Sequence, residues 1–223
     1  MIVKKIYLSW RRGGKGTHRY LVGELIRQAG GLFTFQYDAA EVAKAKEEGF
    51  SNYPEFKDTD ASIKYAGDLE SIFSLRLMPE SRADRNDYLN FWVASNADYD
   101  WFDELALTQG KLATDTFEFL GAYDYNINGF QFVTDLAALS HVKPSVTLVE
   151  PNDELEFELE PGNVRDGYAV KIMKGATHIG YVKRGHNLYF QNANPNRLKL
   201  VVRGIDKNGE LNQLYILVTK KQG

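Results

Sequence analysis

An α+β architecture in two parts is what this sequence predicts: an N-terminal α/β half with a hairpin-led sheet and a helical cluster, then a small β-barrel. Three observations carry that expectation. Runs rich in β-branched and aromatic residues occupy residues 6–37, and apolar residues at helical spacing follow as far as Leu107. From Gln131 onward, short extended segments are separated by Pro144, Pro151, Pro161, Gly162, Gly175 and Gly185, the pattern of a small barrel. With 223 residues the chain has room for two modest cores.

Ile6 to Trp10 and Arg19 to Ile26 read as strands joined by the turn-rich RRGGKGTH, a hairpin. Leu32 to Tyr37 adds a third strand, with Phe33, Phe35 and Tyr37 on one face by the period of two. Asp38 is placed to cap a helix over residues 39–48, and Gly49 to stop it. Leu69, Ile72, Phe73 and Leu77 have helical spacing and end at Pro79. Ser81 is expected to start a helix carrying Tyr88, Leu89 and Trp92, and Asp100 one over residues 101–107 closed by Gly110. Thr116 to Leu120 completes the first half as a strand. The turn-rich AYDYNING, Ala122 to Gly129, has few core residues, so domains are expected at 1–122 and 123–223. In the second domain Leu155, Phe157, Leu159, Val170, Ile172, Ile179, Tyr181 and Val182 supply strand faces, and Asp135 to His141 is compatible with a helix. Leu198 to Ile205 and Leu211 to Thr219 flank Asp206-Lys-Asn-Gly209, a hairpin turn.

Composition bounds the function classes. A hydrophobic fraction of 43% with 26% charged residues is ordinary globular composition. The absence of cysteine excludes a disulfide scaffold, a thiolate metal site and a cysteine nucleophile. No apolar run is long enough to span a membrane and no signal-peptide pattern opens the chain, so a soluble, cytoplasmic protein is expected. The net charge of -3 is uneven. Glu150 to Glu160 is an acidic block, whereas after Asp166 ten Lys or Arg face only Asp206 and Glu210. Such a basic segment is either a footprint for nucleic acid or a solvated strand face.

No catalytic motif is found. Gly13-Gly-Lys-Gly-Thr17 fails as a phosphate loop, because Ser9 stands where the first glycine belongs and Gly16 where Ser or Thr would hold the metal. It also leads into a strand, not a helix N-terminus. His18, His141, His178 and His186 have no metal-ligand spacing, and no Ser, His and Asp set is in a recognisable order. A non-enzyme without metal or cofactor is expected.

Two resemblances add to this reading. Val22-Gly-Glu-Leu25, Phe33-Thr-Phe-Gln-Tyr37 and Leu75-Arg-Leu-Met-Pro-Glu-Ser-Arg82 make the first half similar to the N-terminal subdomain of HipA-type kinase toxins. The kinase catalytic loop and metal-binding aspartates have no counterpart here. The resemblance therefore implies a companion or antitoxin-like module, with Arg76, Met78, Pro79, Glu80 and Arg82 as partner-binding residues and a HipA-type kinase as the partner.

The second half resembles a HIRAN domain over Leu155-Glu-Phe-Glu-Leu-Glu-Pro161, Gly162-Asn-Val-Arg-Asp166-Gly-Tyr-Ala169-Val-Lys-Ile172 and His178-Ile-Gly180-Tyr-Val-Lys-Arg184. Asn163 and Asp166 are suited to bonding their own loop backbone, Ala169 to packing, and Gly180 to close strand approach. The resemblance implies binding of single-stranded DNA. In the helicase members, aromatics early in the domain stack on the bases at a 3′ end. The corresponding Thr134 to Leu139 carries no aromatic pair, so little preference for a free 3′ end is expected. Lys171, Lys183, Arg184 and Arg197 are expected to converge beside Tyr181 or Tyr189, with the acidic block on another face. The function expected is a non-catalytic adaptor joining a protein-binding half to a nucleic-acid-binding barrel, the alternative being a stand-alone sensor of DNA ends or single strands.

Overall fold

The structure, a computed structural model, describes residues 2–14, 17–191 and 193–221. Lys15 and Gly16, in the middle of the rejected phosphate loop, lie outside the described residues. The chain divides into two compact units, residues 1–123 and 124–223.

In the first unit the order is β1 (Lys5–Trp10), β2 (Tyr20–Arg27), β3 (Phe33–Tyr37), α1 (Ala39–Glu47), β4 (Tyr65–Ala66), α2 (Leu69–Phe73), α3 (Arg85–Phe91), α4 (Trp101–Thr108) and β5 (Phe117–Gly121). The strands form an antiparallel sheet of order β4-β3-β2-β1-β5. Ile6, Leu25 and Phe35 stand in one row across it, each with no exposed surface, and pack with Phe73, Phe102 and Phe119. The Asp38 carboxylate caps α1 by accepting from the Glu41 amide at 2.8 Å, and the Asp100 carboxylate caps α4 through the Phe102 and Asp103 amides, each at 3.1 Å.

Three expectations for this unit need correction. The helix expected to run on to Pro79 stops at Phe73 and tightens into a 3₁₀ turn, Ser74–Arg76. The reason is Arg76, whose guanidinium turns inward to donate to Tyr53 Oη and the Gly110 carbonyl, each at 2.9 Å, and to pair with Asp115. Helix α3 starts at Arg85, not at Ser81, and Asp84 at its N-cap makes no capping bond, because Arg82 holds its carboxylate at 2.7 and 2.8 Å. Helix α4 runs one residue further than expected, to Thr108, and the residue that first turns into the left-handed region is Gln109, at φ 65°, ahead of Gly110.

The second unit contains β6 (Gln131–Ala137), α5 (Leu139–Val142), β7 (Glu154–Glu160), β8 (Ala169–Lys174), β9 (Thr177–Val182), β10 (Leu198–Asn208) and β11 (Glu210–Lys220), with 3₁₀ turns at Asn187–Phe190 and Pro195–Arg197. These strands pair antiparallel in the order β10-β11-β6-β9-β8-β7, and β7 returns to β10 so that the ring closes. That seam is short: Leu200 opposite Leu155 and Val201 opposite Glu154, extended by backbone bonds between Val202 and Asn152 and Asp153 at 2.9 Å. Phe132, Val170, Ile172, Ile179, Phe190, Leu214, Ile216 and Val218, none with exposed surface, fill the interior. Asp135 to Ala137 prolong strand β6 instead of starting a helix, because β11 and β9 both pair with it there. Among the described residues no helix is long and apolar enough to cross a membrane, and no cluster of His, Asp or Glu is arranged to hold a metal ion.

Candidate nucleic-acid interface

The turn between β7 and β8 is built by its own side chains. Asn163 Oδ1 accepts from the amides of Arg165 (2.9 Å) and Asp166 (3.2 Å), and Asp166 Oδ1 accepts from the Tyr168 amide at 2.9 Å. Ala169, which begins β8, is buried. Asn187 ties the loop to the 3₁₀ turn after β9, donating from Nδ2 to Asp166 Oδ2 at 2.8 Å and to the Tyr168 carbonyl at 3.0 Å. Gln191 Nε2 reaches the same carbonyl at 2.9 Å. With its polar groups turned inward, the loop shows water the side chains between and just after them: Val164 is fully exposed, Arg165 is exposed, and Tyr168 is 59% exposed.

At the root of the loop, Glu160 gathers three donors. Asn163 Nδ2 lies 2.6 Å and Tyr181 Oη 3.0 Å from its Oε2, and Lys171 Nζ lies 2.5 Å from its Oε1. The bonds from Asn163 and then Lys171, with a smaller one from Tyr181, pull the Glu160 carboxyl down to about 2, so it is ionised throughout the neutral range. The same ion pair raises Lys171, and burial, reinforced by the anionic Glu160, raises the Tyr181 phenol. The register makes this possible: Lys171 stands opposite both Glu158 and Tyr181 on the neighbouring strands.

Other expected site residues lie elsewhere. Lys183 has no exposed surface and forms an ion pair with Asp135 at 2.5 Å, so it is part of the interior and not of a basic groove. The physical reason is its place one residue past the end of β9: Val182 pairs with Leu136, which sets Lys183 beside the adjoining Asp135 of β6. Tyr189 is buried against Phe130, Phe132 and Tyr125, and burial drives its phenol upward. It offers no stacking face. Arg197 is exposed but closes the turn leading into β10, which lies across the ring from β9. Arg184 is partly exposed, three residues before Asn187, whose Oδ1 accepts from the Gly185 amide at 3.0 Å. Gly180 fits its expected place: a Cβ there would lie 3.1 Å from the Ala137 carbonyl.

The acidic block does not occupy a separate face either. Besides Glu160 with Lys171, Asp153 pairs with Lys174 at 2.8 Å and Glu154 with Lys199 at 2.7 Å, so antiparallel neighbours neutralise much of the basic segment. In the first unit Arg76 is 6% exposed and engaged on every side, which removes it from the partner-binding set. Met78 is half-buried, while Pro79, Glu80 and Arg82 are exposed. Tyr168, Arg165, Asn187 and Glu160 were not singled out by the sequence. For Arg165 the available signal was the Asn-x-x-Asp spacing itself, since a loop that consumes both side chains internally turns the residues between them outward; Tyr168, Asn187 and Glu160 lie outside that interval.

The family model described as HIRAN domain matches residues 120–204. Among solved structures, the crystal structure of the HIRAN domain of human HLTF is similar at 19% identity and a TM-score of 0.32, over 41% of this chain and 76% of that one. No curated protein matches the chain. The family match thus marks residues 120–204, from the end of β5 into β10, as a HIRAN domain.

Proposed function

We propose that the second unit binds single-stranded nucleic acid through the loop at residues 163–168 and the adjoining β8–β9 edge, and that the chain is a non-catalytic adaptor. The observation that carries this reading is the HIRAN domain at residues 120–204. The exposed ring of Tyr168 supplies a stacking surface for an unpaired base, worth about 1–3 kcal/mol. Arg165 and Arg184, with the donors left on Lys171, supply phosphate contacts. The oxygens of Asn163 and Asp166 already accept bonds from their own loop, which supports contact with the strand in preference to its end. The adaptor half of the proposal, a kinase or other protein held by residues 1–122 through Met78, Pro79, Glu80 and Arg82, rests on the sequence resemblance. If affinity capture from the host recovers no protein while oligonucleotide binding persists, the stand-alone sensor replaces the adaptor.

The test is fluorescence anisotropy with labelled oligonucleotides, blocked and unblocked at the 3′ end, over a salt series. Neutralising two to three phosphates should give a log affinity against log salt slope between about -1.4 and -2.1, equal for both ends. Arg165→Glu with Arg184→Glu should abolish most of the binding. Binding indifferent to salt, or unchanged by that double reversal, would show that these arginines are merely solvated.

A further inference from the structure

We infer that Glu160 is a positioning residue of the nucleic-acid face, whose negative charge the face requires in order to bind a polyanion. The inference rests on the reading above. Its observation is the convergence on one carboxylate of the loop (Asn163 Nδ2, 2.6 Å), a cation (Lys171 Nζ, 2.5 Å) and an aromatic (Tyr181 Oη, 3.0 Å) from three consecutive segments of chain. A carboxylate among phosphate-binding groups is electrostatically unfavourable if it acts alone, since it repels the ligand. Here it does something else. A free lysine side chain loses rotamer entropy when it clasps a phosphate, and pairing with Glu160 removes that loss in advance. The ammonium has three donors, and the carboxylate takes one of them. The bond from Tyr181 fixes the rotation of its ring about a polar anchor, and the bond from Asn163 fixes the residue whose Oδ1 folds the loop under Arg165. Because the carboxyl is held near 2, this corner stays assembled at any working pH.

The electrostatic and positioning roles predict opposite signs for one substitution. In the full-length protein, Glu160→Gln removes a negative charge with almost no change of shape. If Glu160 only repels, releasing Lys171 should tighten binding to a labelled oligothymidine of about 15 nucleotides and steepen the salt slope by about 0.7. If Glu160 positions the face, affinity should fall about tenfold, the equivalent of one charge-assisted hydrogen bond, and the slope should not steepen. The salt slope is the readout that a merely structural loss of folded protein does not move, and thermal melting is followed alongside. Should Glu160→Gln fail to fold, Tyr181→Phe decides: it keeps every charge and the ring, and should weaken binding about threefold at unchanged slope. Tighter or unchanged binding by Glu160→Gln, or unchanged binding by Tyr181→Phe, overturns the inference. If the wild type does not bind, or Arg165→Glu with Arg184→Glu binds as the wild type does, the parent reading has failed instead.

Discussion

A lysine with no exposed surface must bring its own counter-charge, and Lys183 finds one in Asp135, a residue 48 positions away in the sequence but 2.5 Å away across β6 and β9. Removing the cation alone would take this counter-charge from a buried carboxylate. Lys183→Met should therefore destabilise the second unit by about 3–5 kcal/mol, measured by urea unfolding. Glu160 offers a pH test of the opposite kind. Its folded-state carboxyl lies near 2 against an ordinary value of 4.5, so its stabilising contribution is complete above about pH 4.5 and is lost as the pH falls toward 2. The stability difference between wild type and Glu160→Gln should be constant from pH 8 to 5 and shrink below that, as followed by urea titration at each pH. These residues also mark where reading the sequence stops. Asn163 and Asp166 were legible because Asx side chains act on neighbours two or three residues along. Lys183, Tyr189 and Arg76 were not, since their burial is decided by partners far off in the chain, and a basic or phenolic residue type alone suggests a wet surface.

Strands and caps followed from local chemistry more closely than helix ends did. The alternation in Phe33, Phe35 and Tyr37 and the capping aspartates Asp38 and Asp100 needed only their neighbours. The end of α2 and the start of α3 depended instead on arginines, Arg76 pulled toward Asp115 and Arg82 clasping Asp84. Between β6 and β9 the ladder has only two residue pairs, Leu136 with Val182 and Ala137 with Tyr181, and Gly180 lies beside it. A methyl group there must push on the Ala137 carbonyl, which is backbone and gives way poorly. Gly180→Ala should cost about 1–3 kcal/mol. It should also speed amide exchange in β9 before β10 and β11 are affected, a difference that hydrogen-exchange mass spectrometry resolves.

The charge balance of the molecule is divided between its units. Residues 1–123 hold fifteen Lys or Arg against nineteen Asp or Glu, while residues 124–223 hold twelve against eleven. The second unit is thus nearly neutral, and whatever attraction it has for a polyanion must come from arrangement, not from net charge. Raising the ionic strength from 0.05 to 0.2 M should therefore weaken oligonucleotide binding by only about seven- to eighteenfold, in keeping with a slope of two to three phosphates. An anisotropy series at the two salt concentrations decides this, and a hundredfold or larger loss would point to a more extensive basic surface.

The way the ring of strands closes has a practical corollary for anyone who trims the gene. The family match ends at residue 204, in the middle of β10, yet β11 at 210–220 is the strand that joins β10 to β6. A fragment cut at 204 would lack Leu214, Ile216 and Val218 from its interior and would leave β6 and β10 with raw, unpaired margins, ready templates for a neighbouring chain. Size-exclusion chromatography of fragments 124–204 and 124–221 should find the shorter one aggregated and the longer one monodisperse. The smallest heritable piece of this fold is therefore longer than the stretch by which it is recognised.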